Sequence, residues 1–201
     1  MSRRSGAKAA AVIFFLVTAC RTAGGAAAGP GIEAQAPQGE MQVRVTLDAA
    51  EQSGAATASV RIHARPETVW PFIASCAEAL KIVPGLVGCE VERTGADGSQ
   101  IIRHTLNYSW YVPRLNYVVR ATFDKPKRVS IERVSGDLAR LTASWTLERE
   151  GDTTVAHYSV ELAPGFWVPH WVIRAALRHD LPKMLRSLRT RAEATQAGRA
   201  G

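Results

Sequence analysis

Residues 139–162 read ARLTASWTLEREGDTTVAHYSVEL, and this stretch decides the fold. Apolar and polar side chains alternate on both sides of Gly151-Asp152, a dipeptide typical of a tight turn. A period of two on either side of such a turn predicts a β-hairpin with one buried face. The inward positions that we predict are Ala139, Leu141, Ala143, Trp145, Leu147, Ala156, Tyr158, Val160 and Leu162.

The same period of two continues upstream of this hairpin. Four further strands are predicted between Val87 and Ile131, with turns at Asp97-Gly98 and Lys125-Pro126. Consecutive strands joined by short turns, with no helix between them, predict an antiparallel meander. Alternation at 58–64 predicts a strand that precedes the meander, and 41–47 has the pattern of a short leading strand.

Helical patterns flank the meander. Pro66 opens a helical stretch that ends at Pro84-Gly85. After Pro164-Gly165 the chain has a broad apolar stripe from Trp171 to Leu188, with arginines on the other side. Pro182 costs about 3 kcal/mol inside a helix, so we expect a break there, with Asp180 capping the second segment. The predicted class is α+β, with an antiparallel sheet and a long C-terminal helix.

Short motifs along the chain carry a family resemblance. They are ARPETVW at 64–70, VPG at 83–85, GD at 136–137, Trp145, and VP at 168–169. In this order they resemble the helix-grip domains of the START/polyketide-cyclase-like (SRPBCC) superfamily. The resemblance is closest to the coenzyme Q-binding START-domain subgroup and its exported bacterial members, and it covers residues 41–195.

The resemblance implies a curved antiparallel sheet of six to seven strands, wrapped around the C-terminal helix. It also implies an internal cavity that binds a hydrophobic small molecule, often a lipid or an isoprenoid. No cofactor is expected. The binding of a lipid-like molecule in such a cavity is the leading function that we predict.

Aromatic residues on the predicted inward faces support a cavity independently of the resemblance. Aromatic walls with a few polar tips are typical of apolar ligand sites. The alternative is that the rings fill a packed core, which would make the domain a non-binding scaffold. The candidate cavity residues are Leu106, Tyr108, Trp110, Tyr117, Val119, Trp145, Tyr158, Trp167, Trp171 and Leu177.

Evidence for catalysis is weak in this sequence. The five histidines show no metal spacing, and no G-x-S-x-G nucleophile motif is present. His104 is the one titratable side chain that we place on an inward strand face, so it is the candidate acid/base of a cyclase- or aromatase-like enzyme. The alternative for His104 is a hydrogen-bonded core histidine.

The N-terminus has the pattern of an export signal. Arg3, Arg4 and Lys8 precede an apolar stretch at 9–19, which is too short to span a bilayer. Val17-Thr18-Ala19-Cys20 resembles a bacterial lipobox, in which Cys20 is lipidated; an ordinary cleavage site at 26–28 is the alternative. Export takes three positive charges from the net +7 and leaves +4, and it makes a nucleic-acid partner unexpected.

An oxidising compartment also permits disulfides. Cys76 and Cys89 are the two cysteines in the body of the chain, and we predict that they pair. Two buried thiols or a reactive pair is the alternative.

The predicted organisation follows from these segments. Residues 1–19 form a signal peptide, 20–40 a flexible tether, 41–195 the ligand-binding domain and 196–201 a disordered tail. The predicted location is the cell envelope, with the protein anchored in the membrane and facing the periplasm. The basic side of the last helix is either solvated or a contact for anionic lipid.

Overall fold

A computed structural model describes residues 41–48, 52–107 and 114–200. Its elements, in chain order, are β1 (Met41–Asp48), β2 (Ser53–Ile62), α1 (Pro66–Ala74), α2 (Cys76–Ile82), β3 (Leu86–Thr94), β4 (Gln100–Leu106), β5 (Leu115–Asp124), β6 (Arg128–Gly136), β7 (Leu138–Glu150), β8 (Thr153–Pro164) and α3 (His170–Ala200). Within these residues, none of the helices is long and apolar enough to cross a membrane.

The described strands form one antiparallel sheet in the order β1-β2-β8-β7-β6-β5-β4-β3. The meander from β3 to β8 is therefore continuous, and its last strand, β8, returns to pair with β2. The sheet has eight strands rather than six to seven, because the leading segment pairs along its whole length, from Met41 opposite Val60 to Asp48 opposite Ser53. The predicted α+β helix-grip class is confirmed.

The β7–β8 hairpin has the predicted register at its centre, where Trp145 lies opposite Tyr158. The prediction was wrong at the start of β7. A register shift between Leu138 and Arg140 buries Leu138 and leaves Ala139 exposed. A bulge of this kind reverses the inward and outward positions on one side of it.

Helix α3 lies along β2 and runs in the same direction. A Cβ atom on Gly54 would lie 2.9 Å from Ile173 Cγ2 and 2.9 Å from Leu177 Cδ1. Further along both elements, the backbone N–H of His63 donates a 2.9 Å hydrogen bond to Glu193 Oε1. Gly54 therefore permits a close approach of helix to sheet that any side chain would obstruct.

The break expected at Pro182 is absent, since α3 is one helix from His170 to Ala200. Leu181, Met184 and Leu185, on either side of the proline, are all buried. Burial of side chains of this size contributes about 1.5–3 kcal/mol each, so the three together outweigh the cost of about 3 kcal/mol for the proline. Asp180 is consequently an internal helix residue and not a cap.

The prediction of a disordered tail from residue 196 was also wrong, because α3 continues to Ala200. Gln196 explains the continuation. Its Oε1 accepts a 2.8 Å hydrogen bond from Thr68 Oγ1 of α1, which fixes the last turns of the helix to the body of the domain.

Candidate functional site

An apolar cavity of about 720 Å³ lies between α3 and the inner face of the sheet. Tyr158, Val160 and Leu162 of β8 form one wall, and α3 forms the opposite wall between Trp171 and Met184. The turn after α2, at 83–85, closes a side. The cavity extends about 20 Å along α3, at 1.5 Å per helical residue.

The two halves of α3 have different roles. Leu185, Leu188 and Ala192 in the C-terminal half are fully buried and belong to the main core. In the N-terminal half, Ile173 and Leu177 are buried in the same core, whereas Trp171 and Ala175 are exposed although both line the cavity. The second apolar cluster, on β3 to β5, packs around Val119. The cavity therefore occupies the space that neither core fills.

The structure brings together five of the candidate cavity residues. Those that line the cavity are Leu106, Tyr117, Tyr158, Trp171 and Leu177. Val119 and Trp145 are not among its lining residues and are buried in the two cores. Trp167 is 72% exposed and does not line the cavity either. Tyr108 and Trp110 lie outside the described residues.

The position of Trp145 has a clear cause. Its ring packs against that of Tyr158, with the centroids 4.6 Å apart, and it is 5% exposed. Alternation along β7 correctly places Trp145 on the inner face. It does not show that this part of the face is covered by the C-terminal half of α3 instead of by the cavity.

Several lining residues were missed by the sequence reasoning. Leu138 was hidden by the bulge in β7, and Asp180 was interpreted as a helix cap. The apolar stripe of α3 gave no reason to select its polar neighbours. The polar lining residues that were missed are Asn107, His179, Asp180 and Lys183.

Burial controls the ionisation of two lining residues. Desolvation raises the pKa of Tyr158 to about 12, so its hydroxyl stays protonated throughout the physiological range. Desolvation also raises the pKa of Asp180, against the opposing effect of its contact with His179 Nδ1, at 3.0 Å. Burial therefore disfavours negative charge at these two side chains, while Lys183 of the same wall acts in the opposite direction on Asp180.

His104 does not line the cavity. Its ring stands edge-on to Tyr117, with the ring centroids 5.2 Å apart. Burial lowers the pKa of His104 to about 4, so the imidazole is neutral at pH 7. These contacts match the core-histidine alternative better than the acid/base one.

Exposed aromatic side chains border one end of the cavity, and we call Phe166, Trp167 and Trp171 the aromatic rim. Phe166 and Trp171 both line the cavity and are exposed, and Trp171 is 65% exposed. Trp167 is exposed beside them. The segment that leads into α3 contains Pro164 and Pro169, which limit regular strand pairing there. This end is consequently the open edge of the helix–sheet contact.

The predicted disulfide between Cys76 and Cys89 is formed, with the Cα atoms 5.3 Å apart. It joins the first residue of α2 to β3. The turn at 83–85, which forms part of the cavity wall, lies between the two bridged residues. The bridge therefore constrains one side of the cavity.

Fold and cavity together define a helix-grip domain with an apolar interior site. Residues 62–189, more than half of the chain, match the family model described as polyketide cyclase / dehydrase and lipid transport. The chain belongs to this family, and its recognition as a START/polyketide-cyclase-like protein is confirmed.

Solved structures share this fold at low sequence identity. The STAR-related lipid transfer protein from Xanthomonas axonopodis is 18% identical, with a TM-score of 0.64, and the match covers 79% of this chain and 96% of that one. The lipid transfer and protein localization domain of human StarD13 is 16% identical, with a TM-score of 0.61 and coverage of 78% and 86%.

An enzyme of the same fold is also similar. The ZhuI aromatase/cyclase from Streptomyces sp. R1128 is 13% identical, with a TM-score of 0.58 and coverage of 76% and 94%. No curated protein matches the chain. At these identities the structural matches establish the fold alone.

Proposed function

We propose that this protein binds and carries a hydrophobic small molecule in the cavity between α3 and the sheet. The cavity itself carries the proposal. Its volume of about 720 Å³ lies within the range of about 300–1,000 Å³ that is typical of small-molecule sites. Leucines, valines and aromatic rings form most of its wall, with a few polar groups among them.

The family supports the same function, because its description includes lipid transport. A finer proposal is that the ligand is an isoprenoid or quinone-like molecule. The resemblance to the coenzyme Q-binding subgroup and the length of the cavity, about 20 Å, both favour an elongated ligand.

Two alternatives were open from the sequence. A cyclase- or aromatase-like enzyme depended on His104, whose neutral ring packs edge-on against the lining residue Tyr117 but does not itself line the cavity. A non-binding scaffold required the inward rings to fill the interior. Tyr117 and Tyr158 instead border the cavity, so ligand binding accounts for their position better.

We propose that the protein acts at the cell envelope, anchored through a lipid on Cys20. The sequence of residues 1–20, which lie outside the described residues, is the support for this proposal. The full-length protein should partition into detergent, and Cys20→Ser should accumulate as unprocessed precursor. A soluble mature form that begins near Gly29 would contradict lipidation and leave export intact.

Ligand binding is tested with N-phenylnaphthylamine, an uncharged probe whose fluorescence rises in apolar surroundings. Ala176 lines the cavity on α3, so Ala176→Phe should fill part of it and weaken probe binding by about tenfold or more. Ala194→Phe is the matched control, since Ala194 is exposed on the same helix and does not line the cavity.

Equal affinities in the two variants would contradict binding in this cavity, and an absence of probe binding to the wild-type protein would contradict the proposed function. Native mass spectrometry of protein purified from its own membranes should show a co-purifying apolar molecule in the wild type. That molecule should be depleted in Ala176→Phe and retained in Ala194→Phe.

A further inference from the structure

We propose that Tyr158 selects ligands that carry an uncharged oxygen acceptor at the end that enters the cavity first. The inference rests on the proposed function and assigns the chemical class of the ligand within the same cavity. Ketones, aldehydes, esters and alcohols with an apolar body belong to this class, whereas hydrocarbons and carboxylates do not.

Tyr158 lies at the inner end of the cavity. Along β8 the lining residues run from Tyr158 through Val160 and Leu162 to Pro164, which is next to the aromatic rim. At about 3.3 Å per strand residue, Tyr158 is about 20 Å from that end of the strand. A ligand that enters past Phe166 and Trp171 therefore reaches the Tyr158 hydroxyl last.

The hydroxyl of Tyr158 has an unused hydrogen-bonding capacity. Its ring packs against Trp145, but its oxygen has no hydrogen-bond partner in the described part of the chain. The described side-chain N and O atoms that are sealed from solvent without a hydrogen-bond partner are His157 Nε2 and His170 Nε2. The Tyr158 oxygen is not one of them, so it retains accessible surface, and the cavity that it lines provides that surface.

The surroundings of the hydroxyl determine which partner fits. A ligand that fills the cavity displaces water from this hydroxyl, and a ligand without an acceptor would leave it unpaired at a cost in free energy. Burial of the hydroxyl, which is the cause of its raised pKa, also opposes a negative charge placed beside it. Lys183, the cationic side chain among the described lining residues, lies on α3, the wall opposite β8. A neutral oxygen is consequently the preferred acceptor at Tyr158, and the comparison with naphthoic acid tests this preference directly.

Three aromatic probes test this selectivity. Acetylnaphthalene and isopropenylnaphthalene are uncharged, and naphthoic acid is a carboxylate at neutral pH. The first two have the same shape and differ in a C=O against a C=CH₂ group. Each is titrated into the full-length wild-type protein and into Tyr158→Phe, which removes one oxygen atom and keeps the ring that packs on Trp145.

In the wild type we expect acetylnaphthalene to bind more tightly than the hydrocarbon and the acid. Tyr158→Phe should weaken acetylnaphthalene by about tenfold and change isopropenylnaphthalene by less than about twofold, the size expected for one hydrogen bond. The infrared carbonyl stretch of bound acetylnaphthalene should lie at lower frequency in the wild type than in the variant, because a hydrogen bond weakens the C=O bond.

The ligand-free stability of Tyr158→Phe separates this role from a structural one. Loss of an unpaired hydroxyl should leave the unfolding temperature unchanged or raise it. A lowered unfolding temperature, together with equal effects on both neutral probes, would assign the hydroxyl to the core and overturn the inference. Failure of every probe to bind the wild type would overturn the proposed function instead.

Discussion

Removal of the Cys76–Cys89 bridge should destabilise the domain by about 3 kcal/mol. The bridged residues are 13 apart in sequence, and the loop-entropy relation gives this value for a closed loop of that length. Each kcal/mol shifts the unfolding temperature of a domain of this size by about 2–4 °C. The variant Cys76→Ala/Cys89→Ala should therefore unfold about 6–12 °C below the wild type.

Reductant provides the matched control. Thermal unfolding is followed by circular dichroism for both proteins, with and without dithiothreitol. The wild type should fall to the unfolding temperature of the variant when the bridge is reduced, and the variant should not respond. The bridge also spans the turn at 83–85, which lines the cavity, so the variant should bind the N-phenylnaphthylamine probe less tightly.

Two results would refute this reasoning. An unfolding temperature of the variant within about 2 °C of the wild type would show that the bridge does not restrict the unfolded chain as the entropy relation requires. Unchanged probe affinity in a variant with the expected loss of stability would show that the bridge stabilises the fold but does not constrain the cavity wall.

Two further predictions concern the aromatic residues and pH. Trp145→Ala should lower the free energy of unfolding in urea by about 3–5 kcal/mol, because Trp145 is buried in the main core. Trp171→Ala, at an exposed position of the rim, should lower it by less than about 1 kcal/mol and should weaken probe binding. Similar losses of stability in the two variants would show that the core and the rim are wrongly distinguished. The free energy of unfolding should fall by up to about 3 kcal/mol as the pH decreases from about 6.5 to about 4. Over this range His104 becomes protonated in the unfolded chain, whereas in the folded protein its pKa of about 4 keeps it neutral. His104→Gln should lack this component, and an equal pH dependence in both proteins would assign it to other groups.

The period of two along the strands predicts most of the fold. It gives the order of strands from β3 to β8 and the central register of the hairpin, because one buried face requires strict alternation. It cannot indicate the bulge at Leu138, which depends on how β7 meets the end of β8 at Ala163 and Pro164. For this reason Leu138 is buried and Ala139 is exposed, which is the reverse of the prediction.

Local helix rules were less reliable at the C-terminus. Pro182 and the glycines at 198 and 201 both predict an interruption or an end when the helix is considered alone. Tertiary contacts decide against them: Leu185 and Leu188 bury the helix on the sheet, and Gln196 bonds to Thr68. Contacts between distant segments of this kind are not encoded in the pattern of one helix.

The cavity was predictable as an aromatic inner face, but its boundary was not. Trp145 and Tyr158 are neighbours on that face, and one belongs to the core while the other borders the cavity. What separates them is the position of α3. Its C-terminal half buries Leu188 completely, and its N-terminal half packs on Gly54 of β2 but leaves space in front of Tyr158 on β8.

This division between the halves of α3 explains how the domain tolerates so large a cavity. An empty void of 720 Å³ would cost about 17 kcal/mol at about 24 cal/mol per Å³, more than the entire stability of most domains. The cavity must therefore be filled, by water that enters past Phe166 and Trp171 or by a ligand. Water gains little against leucine and valine side chains, so an apolar ligand that displaces it stabilises the folded state. Stability then comes from the contact of α3 with the sheet, from Ile173 to Ala192, and the exposed rim at Phe166 and Trp171 is left to admit and release the ligand.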